Sequence, residues 1–184
     1  DTECNISSSL NDTMTELDDT KNYILMINDI EVADTILVEA NKDVILDLNG
    51  ETITALPECE LILRNYGKLT INDSIGNGTL KTTKWLLNNR LELVINGGKF
   101  IKEKDDVKNG GLIDNRGLTT VNDGYFYTEK GYVFYNYVNN SGYNPIFNVN
   151  GGIIKSLDSS LFVNLYSKGT FNIKNVNLSY LGEP

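Results

Sequence analysis

The chain has 184 residues, with 16 Lys+Arg against 25 Asp+Glu, a net charge of −9 and no histidine. Without His there is no Ser-His-Asp triad, no His-based acid/base pair and no His metal site, and two Cys cannot build a Cys4 zinc site. The acidic balance and the lack of a basic stripe argue against nucleic acid and anionic membranes as partners, while a hydrophobic fraction of 40% is enough for a packed core.

In chain order, the first segment is polar. The chain opens Asp1-Thr2-Glu3-Cys4 without an initiator Met, which points to a removed signal peptide or upstream region, or to an excised domain. No window approaches the ~18–20 apolar residues that a membrane-spanning helix needs. Cys4 and Cys59 share no redox motif. A disulfide stapling the N-terminus to the body and two separate thiols are both open readings. Within residues 6–20, Leu10, Met14 and Leu17 stand at helical spacing. They predict a short amphipathic helix that caps the main domain, so residues 1–21 form a cap and residues 22–184 the domain itself.

From residue 46 onward one pattern recurs: apolar, x, apolar, Asn, then Gly or Asp. It appears at Leu46-Asp47-Leu48-Asn49-Gly50, Leu69-Thr70-Ile71-Asn72-Asp73 and Leu93-Val94-Ile95-Asn96-Gly97. It returns at Thr119-Thr120-Val121-Asn122-Asp123 and Phe147-Asn148-Val149-Asn150-Gly151, with a weaker copy at Phe171-Asn172-Ile173-Lys174-Asn175. Asn49, Asn72, Asn96, Asn122 and Asn150 are 23, 24, 26 and 28 residues apart. A second marker, Asn65, Asn89 and Asn115, precedes the first by seven residues, and Asn136 and Asn164 are its later, displaced equivalents. Asn139 to Pro145 reads as an inserted loop.

The segments between markers alternate with period two, which describes short strands with one buried face. A period near 24 residues with Asn or Gly at the bends predicts an all-β chain, a parallel β-helix of about six coils, each paired with the next at ~4.8 Å. Asn suits a bend because it tolerates the left-handed conformation and because stacked amides bond along the axis. Right-handed winding follows from the preferred hand of parallel crossovers.

Val44-Ile45-Leu46-Asp47-Leu48-Asn49-Gly50-Glu51-Thr52-Ile53 and Leu69-Thr70-Ile71-Asn72-Asp73-Ser74-Ile75-Gly76-Asn77-Gly78 resemble the pectate-lyase-like right-handed β-helix repeats of bacterial secreted and surface proteins, adhesins among them. The resemblance covers about residues 22–178. It implies the fold, and a superfamily that contains lyases, hydrolases, adhesins and tailspikes. Enzymes of that superfamily use clustered carboxylates, often with calcium and a basic residue. Asp73 and Asp123 follow corner Asn residues and would lie two coils apart, ~9–10 Å, a spacing suited to an inverting pair. Asp also simply suits a turn, and that is the favoured reading. The Asp-x-Asp-x-Asp-Gly loop is absent, so calcium has no motif and no cofactor is predicted. The stretch Lys102 to Lys108, with Asp105 and Asp106, reads as a solvated loop.

Arg64, Arg90 and Arg116 all lie beside the second marker, with Arg90 and Arg116 in the same register. Two readings compete: a surface ion-pair ladder with neighbours such as Glu92 and Asp114, or a fork for an acidic sugar or other carboxylate. Aligning the corners turns Phe100, Phe126 and Ile154 inward. Ile101, Tyr125, Tyr127 and Ile153 then form an outward, partly apolar strip, with Tyr132 and Tyr143 nearby. Flat rings beside amides suit sugars, and an exposed apolar patch suits a protein. Trp85 reads as core or cap. The predicted function is a non-catalytic, secreted or cell-surface module that binds a glycan or a host or cell-surface protein. The alternatives are a lyase or hydrolase of an acidic polysaccharide, and a structural spacer in a larger surface protein.

Overall fold

The computed structural model describes residues 9–103, 111–137, 144–158, 160–165 and 168–180. Among them are one helix, α1 (Leu10–Glu16), and twenty strands that wind three to a turn. Turn one holds β1 (Lys21–Leu25), β2 (Ile30–Val32) and β3 (Ile36–Val38). Turn two holds β4 (Asp43–Asp47), β5 (Thr52–Ala55) and β6 (Leu61–Asn65); turn three β7 (Lys68–Asn72), β8 (Thr79–Thr82) and β9 (Trp85–Asn89). Turn four holds β10 (Glu92–Ile95), β11 (Lys99–Lys102) and β12 (Gly111–Asn115); turn five β13 (Leu118–Val121), β14 (Tyr125–Thr128) and β15 (Tyr132–Tyr137). Turn six holds β16 (Ile146–Val149), β17 (Ile153–Ser156) and β18 (Phe162–Leu165), and β19 (Thr170–Ile173) and β20 (Asn177–Tyr180) begin another. Each strand pairs in parallel with its equivalent one turn away, giving three sheets that close around one interior. The chain is a right-handed parallel β-solenoid of about six turns.

The alternation read from sequence becomes columns of side chains along the axis. In the second sheet Ile53, Leu80, Phe100, Phe126 and Ile154 stand in register, all fully buried. The third sheet contributes Ile36, Leu63, Leu87, Ile113 and Phe134 in the same way. The interior is aliphatic in the early turns and aromatic later. Phe134 lies 4.5 Å from Phe147 and 5.0 Å from Phe126, ring centre to ring centre. The helix supplies the expected cap. Ser9 Oγ accepts from the Asp12 amide to start α1, and Leu10 and Met14 are buried against the first turn.

Two asparagine ladders run along the axis. The inner one is buried up to its last rung, the exposed Asn164: Asn65 Nδ2 donates to Asn89 Oδ1 at 2.8 Å, Asn89 to Asn115 at 3.1 Å, Asn115 to Asn136 at 2.9 Å and Asn136 to Asn164 at 2.9 Å. Each of Asn65, Asn89, Asn115 and Asn136 also donates to the carbonyl of the residue that opens a strand of the first sheet. The outer ladder is exposed and donates the other way, from Asn150 to Asn122, Asn96 and Asn72 at 2.8–2.9 Å.

Four expectations are corrected. Strand pairing places Asp47, not Asn49, opposite Asn72. A shift of two residues keeps every side chain on the same face, so the apolar alternation could not choose between the registers. Of the five corner Asn residues only Asn49 has a positive φ; in the later corners that conformation falls to Gly98, Gly124 and Gly152. Asn is there for its ladder and Gly for the bend. Lys102 is not in a solvated loop but is fully buried on β11, and Trp85 is 39% exposed at the start of β9, not core. Cys59 is a buried thiol whose Sγ lies 3.4 Å from the Leu61 carbonyl oxygen; burial raises its pKa above the usual thiol value. Cys4, Tyr143, Asp105 and Asp106 lie outside the described residues.

Candidate functional site

Turn five gathers the aromatic surface. On β14 the inward Phe126 and Thr128 leave Tyr125 and Tyr127 facing out, half-buried, with their rings 6.5 Å apart. Ile153 stands beside Tyr125 in register, and Ile101 beside Tyr127, so the predicted strip is formed by two adjacent columns. The Lys155 ammonium lies over the Tyr125 ring at 5.4 Å. Burial, and then the charge of Glu129, hold the Tyr127 phenol above its ordinary pKa, so it remains a hydrogen-bond donor. On β15 Val133, Phe134 and Asn136 are buried and Tyr132, Tyr135 and Tyr137 are half-buried. Tyr132 stacks on Tyr135 at 5.7 Å, and Tyr135 lies 6.1 Å from Tyr137.

The arginines divide between two columns. Arg64 aligns with Asn88, Asp114 and Tyr135. Arg90 and Arg116 each follow a rung of the inner ladder, as do Tyr66 and Tyr137. These four side chains therefore leave the same corner on successive turns, in the order Tyr66, Arg90, Arg116, Tyr137. Each guanidinium lies over the tyrosine at its end of the row, Arg90 at 5.6 Å and Arg116 at 4.1 Å. Asn88 Oδ1 accepts from Arg90 Nε at 2.9 Å, whereas Arg116 Nε is buried without a hydrogen-bond partner. Glu92, expected beside the arginines, faces Lys68 instead at 3.9 Å. Sequence reading missed Tyr66 and Tyr137 as partners, although both stand directly after a marker Asn, the same offset that singled out the arginines.

Asp114 lies within this cluster. Its Oδ1 accepts the Gly111 amide at 2.8 Å, and a Cβ on Gly111 would fall 3.0 Å from that oxygen and 2.7 Å from Tyr135 Cβ. Glycine is what lets the carboxylate fold back there. Burial pushes the Asp114 pKa up to about 6, against the Gly111 hydrogen bond and the charges of Arg116, Lys102 and Arg90. A carboxyl with a raised folded pKa adds stability below its unfolded pKa of roughly 4, and that contribution is lost as pH rises through about 6. Asp114→Asn is therefore expected to be more stable than the parent at pH 7, by roughly 1–2 kcal/mol, and level with it near pH 4. Urea titrations of both proteins across that range check this; a pH-independent difference would contradict it.

The corner carboxylates are held by backbone. Asp73 accepts from the Gly50 amide at 2.9 Å and the Gly78 amide at 2.8 Å, one oxygen each. Asp123 accepts from its neighbour Gly124 at 2.8 Å. Asp47 takes the Tyr23 hydroxyl at 2.7 Å and the Asn49 and Ser74 amides at 3.0 Å. Burial pushes Asp47 up, but these donors outweigh it and hold the carboxyl below its usual range. A concavity of ≈540 Å³ lies away from turn five's tyrosines, lined by Asn148, Asn150, Phe171, Asn172, Ile173 and Lys174. Among the described residues no group of three or more Cys, Asp or Glu could hold a metal ion, and no helix is long and apolar enough to cross a membrane.

The geometry defines a parallel β-solenoid with an aromatic, arginine-bearing face. No protein-family model, curated protein or solved structure gives a significant match to the chain.

Proposed function

We propose that the protein is a non-catalytic binding module, secreted or displayed at a cell surface, that engages a glycan through the tyrosines of turn five. The observation that carries this is the row Tyr125, Tyr127, Tyr132, Tyr135 and Tyr137, five half-buried rings on two adjoining faces of one turn. Flat rings on rigid parallel strands offer stacking platforms for sugar rings, and the solenoid holds them without ordering a loop. The resemblance of the Leu69–Gly78 repeat to pectate-lyase-like repeats of bacterial surface proteins agrees with this setting. The carboxylates of Asp73 and Asp123 are engaged by backbone amides, which favours binding over hydrolysis or lyase chemistry.

The test is a glycan-array screen followed by calorimetry on the hits. Tyr125→Ala/Tyr127→Ala is expected to weaken binding by ~10–100-fold, since two stacking rings contribute about 1–3 kcal/mol together. Unchanged affinity in a variant with unchanged melting would remove this face from the site. Capture of a protein partner with no glycan bound would replace the glycan reading by a protein-docking one.

A further inference from the structure

We propose that Arg90 and Arg116 form a twin-guanidinium site for the carboxylate or sulfate groups of an acidic glycan. This rests on the glycan reading above and specifies the charge class of its ligand.

The inner ladder sets Asn65, Asn89, Asn115 and Asn136 in register, so the residues after them emerge one turn apart, ~4.8 Å per step. Tyr66 and Tyr137 occupy the ends of that row and hold the two guanidiniums from outside. The arginines are thereby left as immediate neighbours. Burial first, and the like charge of Arg90 second, hold the Arg116 pKa below its ordinary value.

Among the described residues the acids neutralise this pair only in part, through the charge of Asp114 above about pH 6. Among the described residues every ion pair uses a lysine: Lys42, Lys68, Lys81 and Lys84. Neither Arg90 nor Arg116 has a carboxylate within ion-pair distance there. The acid that couples electrostatically to both arginines, Asp114, spends an oxygen on Gly111 and holds its proton up to about pH 6. Arg116 Nε is buried and unbonded. A carboxylate or sulfate group, with two or three oxygens to share, would bridge the accessible parts of the two half-buried guanidiniums and relieve the repulsion, which a guanidinium fork does better than an ammonium.

The whole chain carries a net charge of −9, so diffuse attraction to a polyanion is absent and any such binding must be local. Lower pH neutralises Asp114, which faces Arg116, Arg90, Lys102 and the Gly111 amide, and this raises the net positive charge at the row.

The experiment measures binding of four probes by calorimetry and by NMR of the arginine Nε–H groups: oligogalacturonate, sulfated dextran, unsulfated dextran and inorganic sulfate. The expected result is binding of one or both acidic glycans, weakened at least 10-fold in Arg90→Gln/Arg116→Gln and strengthened on going from pH 7.5 to 5.5. Oligogalacturonate against sulfated dextran identifies carboxylate or sulfate as the preferred group. Arg90→Lys/Arg116→Lys keeps the charge and is expected to lose most of the affinity, which separates a fork from a charged patch. Circular dichroism melts confirm that the variants fold. Unsulfated dextran bound as tightly as the acidic glycans, with no effect of the arginine variants, overturns this inference and leaves the glycan reading standing. Inorganic sulfate shifting the Nε–H signals of Arg90 and Arg116 while no glycan binds overturns both the acidic-glycan assignment of these arginines and the glycan reading. No response at those signals to any acidic probe overturns the proposal.

Discussion

Asn115→Ala is expected to destabilise the protein by roughly 3–5 kcal/mol, a large share of the ~5–15 kcal/mol that holds a typical domain folded. Asn115 is fully buried and uses both ends of its amide. Its Oδ1 accepts from Asn89 at 3.1 Å, from the Gly117 amide at 3.1 Å and from the Thr119 hydroxyl at 2.9 Å. Its Nδ2 donates to Asn136 at 2.9 Å, to the Ile146 carbonyl at 2.9 Å and to the Gly117 carbonyl at 3.1 Å. Alanine removes these bonds and orphans several buried partners at once, and an orphaned buried group costs more than its bond contributed. Asn115→Asp keeps the shape and loses the donor, so it is expected to be nearly as damaging at pH 7. Asn122→Ala is the control, because its ladder is exposed and water replaces the lost partners. It is expected to cost under about 1 kcal/mol. Urea denaturation of the three variants checks the ordering. Equal midpoints for Asn115→Ala and Asn122→Ala would show that the inner ladder contributes nothing special.

The two Asn series are visible in the sequence as spacings, and so are the inward Phe100 and Phe126, because a solenoid repeats one environment and the repeat prints itself on the chain. What periodicity cannot register is a shift by two, which preserves every face; that is why the corner pattern sets Asn49 where Asp47 belongs. Nor does it show what stands beside a residue along the axis. The pairing of Arg90 with Tyr66 and of Arg116 with Tyr137 joins residues more than twenty positions apart. Lys102 misleads because a charged run looks solvated, whereas strand alternation places this one lysine inward, in register with Thr82 and Thr128. Trp85 escapes any alternation: it is exposed where β9 begins, although Leu87 two residues on and Leu86 between them are buried. Composition excludes His chemistry as a matter of inventory, but it cannot show that a net charge of −9 coexists with a row of two arginines that form no ion pair among the described residues.

Phe134→Ala is expected to cost about 4–5 kcal/mol, comparable to or above Asn115→Ala, but with a different signature. The ring is fully buried where the three sheets meet, in contact with Phe147 at 4.5 Å, Phe126 at 5.0 Å and Phe162 at 5.7 Å between centres. Removing it opens a cavity bordered by rings from turns five and six, which are too large to close the gap by small shifts. Turns of a solenoid contact mainly their neighbours, so the loss is local along the axis. The early turns, packed through Leu46, Ile53 and Leu63, keep their contacts. Unfolding is therefore expected to split, with the later turns released at lower urea and a reduced apparent m-value. Phe134→Leu refills most of the space and is expected to cost about 1–2 kcal/mol without the split. Because β15 carries Phe134 inward and Tyr132, Tyr135 and Tyr137 outward, the same Ala variant is expected to weaken ligand binding while leaving every surface residue in place. A single sharp transition within about 1 kcal/mol of the parent would mean that the aromatic stack is not what joins the last turns to the first.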